Sequence, residues 1–132
     1  MYQNPQNGGA VSPSRPVRPS LFQTLKEVKT QVNYKCFEAD PLIDELCLII
    51  AEVLVRPPES VMRIRGSEIE AAVVQEVYRM LTYEHLDLVR DNFKAQNRLI
   101  HKKTAYLQTA LYNAVFEYEH HYTNLVKHDL GI

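Results

Sequence analysis

Glycine is scarce in this chain: four among 132 residues, two of them adjacent at positions 8 and 9. A phosphate-cradling loop needs several glycines ahead of a helix, so Gly66 standing alone does not make one. Its expected task is a positive φ at a turn. Cysteine is nearly absent. Cys36 and Cys47 are too few for a disulfide framework or a four-ligand zinc site, and the expected compartment is a reducing cytoplasm. Excess charge is lacking too. Fifteen Lys and Arg against 16 Asp and Glu leave −1, which excludes a histone-like, polybasic chain. No stretch approaches the length of apolar sequence that a membrane-spanning helix needs. The N-terminus has no charged start followed by an apolar run, so it does not read as a secretory signal.

What the chain does have is apolar sequence, 45% of its residues, distributed unevenly. Residues 1–20 hold four of the seven prolines and almost no large apolar side chain. Such a segment cannot bury enough surface to offset its chain entropy, and it is read as a disordered tail. Arg15 and Arg18 sit between its prolines, in an extended stretch suited to a linker or to a recognition peptide for a partner or phosphate backbone. Residues 21–132 form the expected single domain, large enough for one modest core.

Leu21 to Val32 places apolar residues at steps of three and four, one face of a helix. Asp40-Pro41 is a helix start, a capping carboxylate before a proline at the first helical position. From Leu42 to Leu54 apolar residues cover more than half the circumference, marking the central helix. Arg56-Pro57-Pro58 ends it. Val61 to Ile69 switches to a period of two and predicts a short hairpin turning at Gly66-Ser67, or an extended loop with Ser67 as a cap. Ala71 to Leu81 returns to helical spacing, with Val73, Val74, Val77, Tyr78 and Leu81 inward. Thr82 can cap a helix whose stripe is Leu86, Val89 and Phe93, with ion pairs expected from Asp87 to Arg90 and from Asp91 to Lys94. From Lys103 onward one long helix, or two with a bend near Asn113, fits the pattern. The fold class is therefore all-α: a compact bundle of five or six helices with a small hairpin or extended turn near residues 62–69.

Chemistry-bearing clusters are weak. Glu117, His120 and His121 are the nearest approach to a metal site, but adjacent histidines on a helix point about 100° apart, and no zincin spacing is present. Cys36, beside Lys35, lacks a framing histidine, and Cys47 sits among apolar neighbours. No catalysis, cofactor, metal or small-molecule substrate is expected. Charge is uneven, however. From Glu38 to Glu70 eight acids face three arginines, whereas Lys94, Arg98, Lys102 and Lys103, with His101, form an acid-free run. A helix junction carrying those residues is a candidate phosphate contact, with Arg15 and Arg18 as secondary contacts. Tyr2 and Tyr83 are candidate stacking platforms.

Several short motifs resemble, in order, the C-terminal domain of the replication initiator A family of Gram-positive plasmids and integrative elements. They are Val28 to Tyr34, Ile43-Asp44-Glu45, Arg63-Ile64-Arg65-Gly66, His85 opening a helix, Tyr106-Leu107-Gln108-Thr109-Ala110-Leu111-Tyr112-Asn113-Ala114, and Val126-Lys127-His128-Asp129-Leu130. Three things depart from that family. Residues 96–103 replace its Thr- and Asn-rich joint, Val115 stands where a proline commonly follows the Asn-Ala pair, and the winged-helix initiator domain is missing. The resemblance implies a stand-alone or trimmed accessory domain of plasmid or mobile-element DNA replication.

It assigns no activity to any residue. Tyr106, Leu107, Ala110 and Leu111 are read as helix-packing positions, Tyr112 and Asn113 as bonding across a helix junction, and His128-Asp129 as a C-terminal cap. The partners implied are DNA, single-stranded or at an origin, and a replication protein or initiator. The rival expectation is a self-associating module, a homodimer without DNA contact, built on the acidic region and the aromatic last helix. Removing Arg98, Lys102 and Lys103 together is expected to weaken DNA binding and flatten its salt dependence.

Overall fold

A computed structural model of the chain describes residues 19–96 and 98–129, with only the backbone course for 118–129. Arg15, Arg18 and Tyr2 fall outside these residues, as do the side chains of His120, His121, His128 and Asp129. Five α-helices and one two-stranded hairpin are present among the described residues. They are α1 (Leu21–Gln31), α2 (Pro41–Leu54), β1 (Val61–Ile64), β2 (Ser67–Glu70), α3 (Ala71–Tyr78), α4 (Tyr83–Lys94) and α5 (Lys103–Asp129), with a single 3₁₀ turn at Tyr34–Cys36. Ser20 belongs to the folded part: its hydroxyl accepts from the Gln23 N–H and caps α1.

α2 is the axis of the fold. Asp40 caps it through the Leu42 N–H at 2.9 Å, and Pro41 takes the first position, where no N–H is needed. Ile43, Leu46, Cys47 and Ile50 are fully buried, and α2 touches each of the other four helices. That is the structural meaning of an apolar surface too wide for a single stripe. Around it pack Val28 and Val32, Val74 and Tyr78, Leu86, and Leu107 with Leu111, all essentially without solvent contact.

The hairpin forms, with Met62 and Ile64 inward. Its register pairs Ile64 with Ser67, so the turn residues are Arg65 and Gly66, one position earlier than expected. Both have positive φ, 57° and 78°, the signature of a type I′ turn. Only the glycine advertises that conformation in the sequence; nothing in it marks Arg65 as the other turn residue.

One other expectation is corrected. Val73 is 42% exposed, because α3 leaves β2 directly and turns Ala71, Val74, Gln75 and Tyr78 inward instead. α5 runs without a break through Asn113, as Val115 in place of a proline permits.

α2 and α3 end without left-handed caps, since the residues after them, Val55 and Arg79, are right-handed, whereas left-handed Asn33 follows α1. Glutamines do the work of satisfying carbonyls. Gln75 Nε2, on a 5% exposed side chain, donates to the carbonyls of Val53 (3.0 Å) and Arg56 (2.9 Å) at the end of α2. Gln31 Nε2 reaches the carbonyls of Tyr78, Arg79 and Leu81 beyond α3, at 3.1, 3.2 and 2.8 Å. Each is a long-range side-chain donor at a helix end; the Val53 and Tyr78 carbonyls also accept the Arg56 and Leu81 N–H groups.

Candidate nucleic-acid interface

The connection between α4 and α5 carries the expected cations, but their states differ. Lys94 Nζ lies 2.6 Å from Asp40 Oδ2. Lys103 Nζ lies 2.9 Å from Glu45 Oε1 and 5.5 Å over the Phe93 ring. These two lysines clamp the joint to the first turns of α2. Asp91 pairs with Arg90 rather than with Lys94, whereas the expected Asp87–Arg90 pair is formed. Arg98, His101 and Lys102 remain: all three are exposed and make no ion pair among the described residues. The Tyr106 N–H bonds the Lys102 carbonyl at 2.9 Å, opening α5 beside them. The first turn of α5 contains no acid, so the positive end of the helix dipole adds to the charge of the joint.

The Lys94 ammonium, followed by the Leu42 N–H, holds the Asp40 carboxyl below its ordinary value. A carboxylate whose pKa folding lowers adds stability above its unfolded value and loses it as pH falls through the folded one. Lys94→Met is therefore expected to unfold at a lower temperature than the wild type at about pH 7, with the gap closing once the pH falls below the ordinary 3.8. Thermal unfolding across that range checks this, and a gap independent of pH contradicts it.

A second basic cluster escaped sequence reading. Lys26, Lys29 and Lys35 line one hollow of about 440 Å³ with no acid among its walls. Lys26 and Lys29 share a face of α1 at i,i+3. Lys35 joins them because Asn33 adopts φ 54° and turns the chain back on itself. Lys29 Nζ sits 4.6 Å over the Tyr34 ring, and the Tyr34 hydroxyl donates to Asp44 Oδ1, fixing the 3₁₀ turn against α2. The helical spacing of Lys26 and Lys29 was legible; the return of Lys35 was not. Both clusters thus adjoin the N-terminal turns of α2, through Tyr34–Asp44 on one side and Lys94–Asp40 with Lys103–Glu45 on the other.

A family model described as a family of unknown function, DUF6017, matches residues 22–132. The chain belongs to DUF6017. The DUF6017 match begins one residue inside α1 and takes in both basic clusters, and it leaves the proline-rich segment out. No curated protein and no solved structure matches the chain.

Within this DUF6017 domain the Tyr106 to Ala114 run is largely a packing surface. Leu107, Leu111 and Ala114 are buried, and Tyr106, Ala110, Tyr112 and Asn113 are half-buried. Tyr112 tilts against Phe116, one turn on, at 5.5 Å, rather than bonding across a junction. Asn113 Oδ1 is buried without a hydrogen-bond partner among the described residues. Tyr106 accepts instead from Gln96 and packs on Phe93. Tyr83 is not free for stacking, since its ring lies 4.2 Å from that of Phe37. His85 closes a capping box: its Nδ1 accepts from the Thr82 N–H at 2.9 Å. Cys36 is exposed and Cys47 buried, and burial pushes the Cys47 thiol up to about 11, far from nucleophilic use. No described helix is long and apolar enough to cross a membrane.

Proposed function

We propose that this domain is a non-catalytic accessory module of plasmid or mobile-element DNA replication that contacts DNA phosphates through the α2 N-terminal end of the bundle. One observation carries the reading: Arg98, His101 and Lys102 from one segment and Lys26, Lys29 and Lys35 from another flank that end, with no ion pair among the described residues tying up any of them. Cations left unpaired in this way gain by displacing the condensed counterions of DNA. The replication context rests on the motifs running in order from Val28 to Leu130. A replication protein with an acidic surface is the other partner this end suits.

Arg98→Ala, His101→Ala and Lys102→Ala together are expected to weaken binding of a short DNA uniformly across sequences. The melting temperature should stay at the wild-type value, because the three side chains are exposed. Lys103 is left intact, since its loss also frees Glu45. Fluorescence anisotropy at low salt measures the effect; binding that survives the triple change, or is absent in the wild type, rejects the proposal.

Exposed Phe22 (78%) and Leu99 (82%) favour the second reading, self-association. Light scattering separates the two: a concentration-independent monomer that binds DNA supports the first, and a stable dimer indifferent to DNA supports the second.

A further inference from the structure

The basic joint opens onto a groove of about 430 Å³ between α4 and α5, reaching from Gln96 and Tyr106 to Asn113 and Glu117. The small side chains of Ala110 and Ala114 leave this space between the helices. At its far end the groove meets a second hollow, which shares Asn113 and Glu117 and adds Arg65 and Phe116. Ten residues of α5 separate Lys103 from Asn113, about 15 Å of helix. Arg65 lines the far hollow, and Arg98, His101 and Lys102 lie outside the groove's lining, in the segment that joins Gln96 to α5 at its near end.

The middle has the opposite character. The Asn113 side chain lines it and carries an oxygen with no partner among the described residues, and Glu117 is an exposed carboxylate. The Asn113 oxygen and the Glu117 carboxylate are acceptors that suit an amino group, and the carboxylate repels a phosphate. Phe116, half-exposed at 51%, offers a ring face beside them. Arg65 occupies a left-handed position where asparagine is the favoured residue with a side chain, so the turn alone does not explain an arginine there.

We propose that this groove binds single-stranded nucleic acid. The strand's phosphates lie on the cations at the two ends, one base stacks on Phe116, and the exocyclic amino group of adenine or cytosine is held by Asn113 and Glu117. A base inside a duplex is already stacked and paired, so the site selects an unpaired strand. This inference rests on the DNA reading above and names the form of DNA.

The test is fluorescence anisotropy of the full chain with a 15-nucleotide oligo-dA, an oligo-dT, an abasic strand and a duplex of the same length. The proteins are wild type, Phe116→Ala, Phe116→Trp and the triple variant of the joint. Oligo-dA is expected to bind most tightly, because thymine lacks the amino group. Phe116→Ala should lose about 5- to 100-fold on oligo-dA, falling to the abasic level, while its duplex binding and melting temperature stay unchanged. Phe116→Trp should restore the loss. If Phe116→Ala binds oligo-dA as the wild type does, or the abasic strand binds as well as oligo-dA, while the triple variant still loses affinity, the groove is wrong and the phosphate contact stands. If no strand binds any of the proteins, both fail together.

Discussion

Gln75→Leu is expected to destabilise the domain by about 1–3 kcal/mol, the worth of one orphaned buried acceptor. The leucine keeps the volume and removes the donor. The Arg56 carbonyl then loses its carboxamide donor, while the Val53 carbonyl keeps the Arg56 N–H at 3.2 Å. In a domain of this size that is a fall in melting temperature of roughly 4–12 °C. Gln75→Glu sharpens the test. The carboxylate has the same shape, but when ionised it can only accept, and it would face two carbonyl oxygens. Folding then favours its protonated form, so the variant should be least stable above the carboxylate range and recover as pH falls. Thermal unfolding of both variants across pH separates loss of a donor from loss of packing; a wild-type melting temperature for Gln75→Leu would refute the capping role.

Tyr78→Ala is expected to cost about 3–5 kcal/mol, close to the whole stability of a marginal domain. Its ring is fully buried at the end of α3, and its hydroxyl donates to the Gln108 carbonyl of α5 at 2.7 Å. Tyr78→Phe keeps the packing and should lose only about 1 kcal/mol. Burial also raises the phenol's pKa above its ordinary 10.0. A group whose pKa is raised by folding stabilises fully below its unfolded value and loses that contribution as pH rises past it. The wild type should therefore weaken above about pH 10 more steeply than Tyr78→Phe does. Denaturant unfolding at neutral and alkaline pH measures both effects; equal alkaline slopes would show that Tyr78 does not carry this limb.

The two glutamines explain why some of this fold could be read in advance and some could not. Asp40-Pro41, the stripe of α2, the period-two run at Val61 to Ile64 and the unbroken helix after Lys103 are local signals, each spanning a few residues. Gln75 capping Val53 and Gln31 capping Leu81 join positions 22 and 50 residues apart, and no periodicity announces them. The joint shows the same division. Its composition was visible as an acid-free run, but which lysines pair depended on Asp40 and Glu45 being carried beneath them by α2. The place of Lys35 beside Lys26 and Lys29 depends on one left-handed residue, Asn33, which no local pattern marks. In the groove, Asn113 was singled out as part of a motif, whereas Phe116 and Arg65 meet there only through packing of the hairpin turn against α5.

Charge that is balanced over the whole chain is thus sorted by the fold. The acids of α2's first turns neutralise Lys94 and Lys103, which hold the joint in place, and the remaining cations are left facing outward. The measurement closest to this claim is the salt dependence of DNA affinity for the intact chain. On a logarithmic plot affinity should fall linearly with salt, with a slope near −0.9 per phosphate contacted on duplex DNA, and the triple variant of Arg98, His101 and Lys102 should flatten that slope by about two units. A slope near zero, or one the triple variant leaves unchanged, would contradict the account.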